Sequence, residues 1–182
     1  GYQVRGTVRN KSNMEKLNPL KVAYGEELFS KIDLREADLT NDESMTAAME
    51  GTHYIVHTAS PVPGQKKGVK EADVVGPAVQ GTMSALKAAR ANKVKRIVIT
   101  SSIAAIQRTK DIDKLNFGPD DWSDLTISDP YIKSKTMAEK AAWDYQKDLP
   151  EDEKFELVTI LPGFVFGTTY VPGLGTTIGA AE

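Results

Sequence analysis

Tyr131-Ile132-Lys133-Ser134-Lys135 sets a phenol and an ammonium four residues apart at the start of a helical run. On a helix the two side chains share a face. A cation held beside a phenol favours the phenolate, so a group with a free pKa of about 10 can trade a proton nearer neutrality. Tyr131 is therefore a candidate general acid. Six tyrosines and 17 lysines in 182 residues would produce such a pair by chance about half the time, so the spacing reads equally as a helix start with a surface lysine. The upstream stretch raises the chemical possibility. Residues 96–100, Arg-Ile-Val-Ile-Thr, have the composition of a short buried strand and run into Ser101-Ser102-Ile103-Ala104-Ala105. Hydroxyls at the carboxyl end of a strand sit where open α/β sheets bind their ligands.

The elements that must position these groups alternate along the chain. Strands are expected at 4–8, 32–37, 54–58, 96–101 and 155–161, from β-branched and apolar runs bounded by turn residues. Between them lie a helical segment from Asn13, continuing as a mixed connection over 19–30 broken by Gly25, and a helix over 42–50. The latter is capped by Asn41, carries acids in its first turn and has Gly51 just past its end. A long helical stretch over 69–92 is expected to kink at Gly76-Pro77. The segment 107–128 reads as a loop long enough to be functional, and Pro130 suits the first turn of the helix bearing Tyr131 and Lys135. Strands alternating with helices imply a parallel sheet with α/β layering. At the end of the first strand stands Arg9. An acid at this place in a dinucleotide fold takes the ribose 2′-hydroxyl, whereas an Arg accommodates a 2′-phosphate; taken alone, Arg9 reads as a snorkelling surface side chain.

Composition excludes several classes. The chain is 40% hydrophobic and 26% charged, has a formal charge of −2, and contains no apolar run of membrane-spanning length. Neither nucleic acid nor membrane is an expected partner, and Lys66-Lys67 read as a solvated loop. The absence of Cys excludes disulfides and thiolate chemistry and suits a cytoplasmic location. His53 and His57 fall on one strand face without a carboxylate cluster, so core or edge histidines are expected rather than a metal site. The glycines at 173, 175 and 179 look like a phosphate loop. Their G-x-G-x-x-x-G spacing and the lack of a preceding strand make a flexible loop the expectation.

Taken jointly, these residues resemble the extended short-chain dehydrogenase/reductases, in the branch of dihydroflavonol reductases, cinnamoyl-CoA reductases and related aldehyde or ketone reductases. The matching motifs are Val8-Arg9-Asn10, Ala37-Asp38-Leu39, His57-Thr58-Ala59-Ser60-Pro61, Gly81-Thr82, Ile99-Thr100-Ser101-Ser102, Asp121-Trp122-Ser123-Asp124, and Tyr131 to Lys135 followed by Ala138-Glu139-Lys140-Ala141-Ala142-Trp143. The resemblance implies a Rossmann-like doubly wound parallel sheet and the cofactor NADP(H). It also implies that Ser102 hydrogen-bonds a carbonyl substrate, Tyr131 protonates the developing alkoxide, and Lys135 holds the nicotinamide ribose and depresses the Tyr pKa. Arg9 and Lys16 would contact the 2′-phosphate and Asp38 and Leu39 the adenine. Thr58, Ala59 and Ser60, with Thr100 and Ser101, would line the cofactor, Pro162 and Gly163 would abut the nicotinamide, and Gln107 would face the substrate.

The same resemblance implies an incomplete fold. The family's first strand, Gly-rich turn and first helix have no counterpart here, nor has its C-terminal substrate lobe. Residues 1–167 would form a partial NADP-binding domain and 168–182 the start of a truncated substrate-binding region, inactive by itself. Ser128-Asp129-Pro130 before Tyr131 departs from the cinnamoyl-CoA reductase run, and Gln107 stands where flavonoid reductases place an Asn. The expected activity is therefore reduction of a small-molecule ketone or aldehyde to an alcohol. The alternatives are a nucleotide-sugar epimerase or dehydratase, which would show a Val-Tyr-Gly turn in place of Ile103-Ala104-Ala105, and a non-catalytic dinucleotide sensor, which would lack the catalytic Tyr.

Overall fold

The computed structural model describes residues 1–60 and 70–165, without the side chain of Lys16. Lys16, Pro61, Lys66, Lys67 and the glycines 173–179 lie outside the described residues, as does the region from 168 onward.

The chain runs β1 (Arg5–Val8), α1 (Met14–Ser30), β2 (Asp33–Glu36), α2 (Asp42–Ala48), β3 (Tyr54–His57), a 3-10 turn (Glu71–Asp73), α3 (Val75–Ala91), β4 (Arg96–Thr100), a 3-10 turn (Ile103–Ala105), α4 (Pro130–Asp148), a 3-10 turn (Glu151–Glu153) and β5 (Glu156–Ile160). All strand pairs are parallel, as the alternation of strand and helix requires. β1 pairs with β2, and β3-β4-β5 form a second sheet. Among the described residues no ladder joins β1 to β3. Their amino-terminal ends nonetheless lie side by side, with the rings of Tyr2 and Tyr54 edge-to-face at 6.2 Å. Arg5 ties β1 to the end of α2 by donating to the carbonyls of Ala48 at 3.1 Å and Glu50 at 2.6 Å.

One face of the three-stranded sheet carries the core. Ile55, Ile97 and Ile99 are buried there against Met45 of α2, Ala85, Leu86 and Ala89 of α3, and Ala142 of α4. The opposite face is open, with Tyr54, Val56, Val158 and Ile160 exposed. A parallel sheet covered on both faces would read as a continuous apolar run; here burial alternates along β3, and the exposed positions are still apolar. Among the described residues no helix is long and apolar enough to cross a membrane.

Local signals explain most boundaries. Asn41 caps α2 by accepting from Ser44 N, and Gly51 adopts φ 73, the left-handed conformation that stops the chain from continuing as helix. Gly25 interrupts α1 with φ 76 and ψ 155, matching the expected break. The expected kink at Gly76-Pro77 is absent. α3 begins at Val75, so Pro77 lies in its first turn, where an amide has no helical partner and its loss costs nothing. Residues 71–73 form a separate 3-10 turn instead of extending the helix. His53 is likewise outside the strand and exposed, whereas His57 is buried, so the two do not share a strand face.

Gly81 brings α3 against the turn after β2, because a Cβ built there would stand 3.2 Å from Leu39 Cβ. Gly81→Val should therefore overpack this contact and destabilise the protein by about 1–3 kcal/mol in a urea denaturation series.

Candidate active site

The carboxyl ends of β3, β4 and β5 are adjacent through the parallel register, and the segments leaving β4 and β5 are laced together. Ser101 N donates to Ile160 O at 2.8 Å and Ile103 N to Pro162 O at 3.0 Å. Ser102 is extended and caps the 3-10 turn, its Oγ accepting from Ala104 N at 3.2 Å. That bond uses a lone pair, so the hydroxyl proton of Ser102 stays uncommitted among the described residues. Thr58 and Ala59 are exposed and Ser60 half-buried at the end of β3, Gly163 is exposed after β5, and Gln107 is exposed one turn beyond Ser102.

Helix α4 delivers the other groups. Asp129 caps it by accepting from Ile132 N, and Pro130 opens its first turn. The helix is held on the turn after β4 by Lys135 Nζ donating to Thr100 O at 3.4 Å, while the single Thr136 hydroxyl proton goes to Ile132 O at 2.8 Å with Ala105 O 3.4 Å away. Lys135 is only 8% exposed. Burial pushes its ammonium below the usual lysine range, and the charge of Glu139 opposes that shift. Tyr131 is half-buried one turn earlier, and its phenol has no hydrogen bond among the described residues. Ser102, Lys135, Thr100, Ser101 and Pro162 are thus brought together around the end of β4, with Tyr131 on the helix turn above.

A second group gathers at the ends of β1 and β2. Arg9 is exposed and close enough to Asp38 for its charge to act on that carboxyl. Hydrogen bonds from Thr40 are the larger cause holding Asp38 below the usual carboxylate range; Asp38 Oδ1 accepts from Thr40 N at 2.8 Å and Thr40 Oγ1 at 2.6 Å. Leu39 is partly buried against the core. Asp38 and Leu39 therefore shape the turn itself.

Two features were not assigned from the sequence. The Asp121-Trp122-Ser123-Asp124 motif clamps the long loop onto the turn after Ser102. Ser123 N donates to Ala105 O at 2.9 Å and Asp124 N to Arg108 O at 2.7 Å. Ser123 Oγ donates to Ala104 O and accepts from Arg108 N, both at 2.8 Å, while Lys140 lies 5.3 Å over the Trp122 ring. Glu139 is the second feature, buried and hydrogen-bonded to the Ser101 hydroxyl. Its i, i+4 and i+8 spacing with Tyr131 and Lys135 was the available signal.

Residues 10–172 match the model of the 3-beta hydroxysteroid dehydrogenase/isomerase family. The chain belongs to this family, within the extended short-chain dehydrogenase/reductases. It is 34% identical to tetraketide alpha-pyrone reductase 1 of Arabidopsis thaliana, over 97% of this chain and 54% of that protein. Identity to a dihydroflavonol 4-reductase of Medicago sativa is 32%, over 94% of this chain and 79% of the relative. The crystal structure of a yeast methylglyoxal/isovaleraldehyde reductase complexed with NADPH superposes with a TM-score of 0.73 at 30% identity, covering 91% of this chain and 52% of that one. The chain spans about half the length of most such relatives. The Rossmann-like parallel sheet expected from the sequence is present, divided among the described residues into two sheets.

His57 reports on the electrostatics of this region. Burial first, and the Lys135 charge second, lower its pKa from 6.5 to about 4. An unfolded chain takes up the proton near pH 6.5, but the fold refuses it until about 4, so stability must fall as pH drops through that window. The loss should approach about 3 kcal/mol at its end, and His57→Gln should remove that slope from urea unfolding measured against pH.

Proposed function

We propose that the whole protein is an NADPH-dependent carbonyl reductase, converting a small-molecule ketone or aldehyde to an alcohol. The observation that carries this is the buried Lys135 bonded to the Thr100 carbonyl at the end of β4, next in sequence to the uncommitted Ser102 hydroxyl and one turn along α4 from Tyr131. Further support comes from relatives named as reductases and from a similar reductase crystallised with NADPH.

The residues present suit that cofactor. Lys135 spends one of its three protons on Thr100 O, leaving donors for ribose hydroxyls. Arg9 is an exposed guanidinium with no hydrogen bond among the described residues, suited to a 2′-phosphate. Asp38 and Leu39 would border the adenine, Thr58, Ala59, Ser60, Thr100 and Ser101 the central part, and Pro162 and Gly163 the nicotinamide; Lys16 would join Arg9. When bound, NADPH supplies the hydride. Ser102 would hydrogen-bond the carbonyl oxygen, fixing and polarising it while keeping its own proton, and Tyr131 would transfer its phenolic proton to that oxygen as charge develops there. Lys135 favours the phenolate that remains. Gln107 would meet the substrate from the loop. In this proposal residues 1–167 contribute a partial cofactor-binding domain, 168–182 begin the substrate-binding region, and the segment alone turns over nothing; the two unjoined sheets support that view.

Tyr131→Phe in the complete protein should lower carbonyl reduction by at least ~10²-fold while leaving NADPH binding nearly intact. Steady-state kinetics with fluorescence titration of NADPH checks this, and near-normal turnover would sink the assignment.

Cofactor choice gives a separate test. An Arg9 contact to a 2′-phosphate is worth about 1.5–3 kcal/mol, roughly ten- to a hundredfold in preference for NADPH over NADH. Arg9→Asp should reverse the ratio of kcat/KM for the two cofactors; an unchanged ratio would mean that another group reads the phosphate.

A further inference from the structure

Glu139 is a buried charged group that the chemistry above leaves unused. It is 5% exposed and lies one turn beyond Lys135 and two beyond Tyr131 on α4, so the three share a helix face. Both carboxylate oxygens are engaged. Oε2 accepts from the hydroxyl of Ser101, and Oε1 accepts from the indole Nε1 of Trp143 at 3.3 Å. Neither partner carries charge, and a buried carboxylate needs a compensating cation nearby.

Other charges packed on α4 are engaged elsewhere. Glu71, from the 3-10 turn before α3, pairs with Lys133 at 2.6 Å, and Arg90 of α3 pairs with Glu153. Lys140 sits over Trp122, and Glu156 of β5 pairs with Arg96. His57 of β3 faces Lys135 and stays uncharged down to about pH 4. Among the described residues Lys135 is left as the cation on the Glu139 face, itself buried and bonded to a neutral carbonyl.

We propose that Glu139 is a positioning residue for Lys135. Fixed by Ser101 and Trp143, its carboxylate holds a compensating charge one turn from the buried ammonium, keeps that ammonium protonated, and ties the helix to the strand end that presents Ser102. The opposing influences on Lys135, burial downward and Glu139 upward, agree with this geometry. The catalytic meaning of the pair rests on the reductase function proposed above; the charge pairing does not.

The test uses the full product of the open reading frame. Lys135 is titrated by competitive labelling with trace acetic anhydride and mass spectrometry, and carbonyl reduction with NADPH is followed against pH in parallel. Glu139→Gln keeps the hydrogen-bonding shape and removes the charge. It should lower the Lys135 midpoint by about one to two pH units, the effect of a unit charge one helical turn away at an effective dielectric of about 20, and should pull in the alkaline side of the rate profile equally. Glu139→Asp should restore both. An unchanged Lys135 midpoint in folded E139Q protein overturns the proposal. If E139Q does not fold, the double variant K135M/E139Q decides: recovered folding supports the pairing, and failure equal to the single variant overturns it. Labelling needs no turnover, so a shifted midpoint in a protein that reduces no carbonyl removes the reductase function and keeps the pairing. An unshifted midpoint in an active reductase does the reverse.

Discussion

A lysine ammonium buried at the end of a strand is the constraint on which the site depends. Water would stabilise that charge far better than the protein interior does, so the ammonium persists only because other groups converge on it. Lys135 reaches the Thr100 carbonyl, and Glu139 below it is held by Ser101. Ser101 in turn takes its place from the Ile160 carbonyl at the end of β5. Two strand ends and one helix are thereby locked through a single polar seam, and Ser102 and Tyr131 are presented from its rim. Around the seam the protein uses small residues, with Ala85, Ala88, Ala89 and Ala142 fully buried, so that α3 and α4 approach each other and the sheet closely enough to exclude water from it.

The long loop follows from the same requirement. Residues 107–128 contain no regular element, yet Ser123 and Asp124 stitch the loop to the backbone around Ala104, Ala105 and Arg108. A segment tied at this point restricts how the turn after Ser102 can move, and leaves Gln107 exposed at the surface. The Asp-Trp-Ser-Asp motif thus acts on the site through backbone order, and none of its side chains needs to touch a ligand.

Much of this was legible in the residues. The five strands stand out because β-branched and apolar runs end in hydroxyl or turn residues, and the α2 and α4 starts because Asn41 and Asp129-Pro130 can satisfy amides that a helix leaves open. Pro77 misled because a missing amide breaks a helix interior but is harmless in a first turn, and the start of α3 lacks a side-chain cap to mark it. His53 misled because strand pairing stops at Tyr54 while the periodicity continues past it. Glu139 was passed over for a different reason, although its spacing from Tyr131 and Lys135 marked the helix face. In Ala138-Glu139-Lys140 a charged pair looks solvated, and only packing against the Ser101 turn shows that one of the two is inside. The division into two sheets is written in no local pattern but follows from the family resemblance, because in the 3-2-1-4-5-6 strand order it implies, the strand without a counterpart here lies between β1 and β3.

The open face of the β3-β4-β5 sheet carries a practical consequence. Val56 on β3 and Val158 and Ile160 on β5 leave apolar side chains exposed on this face, Tyr54 stands at the start of β3, and among the described residues β3 pairs on one side only. Apolar surface next to unpaired backbone amides is the combination from which strands recruit neighbouring molecules. A formal charge of −2 supplies little long-range repulsion to keep copies apart. A polypeptide of this sequence will therefore be governed by its colloidal behaviour before its chemistry. Dilution, low salt and a buffer well away from the pI near 5.8 are the conditions that favour dispersed molecules.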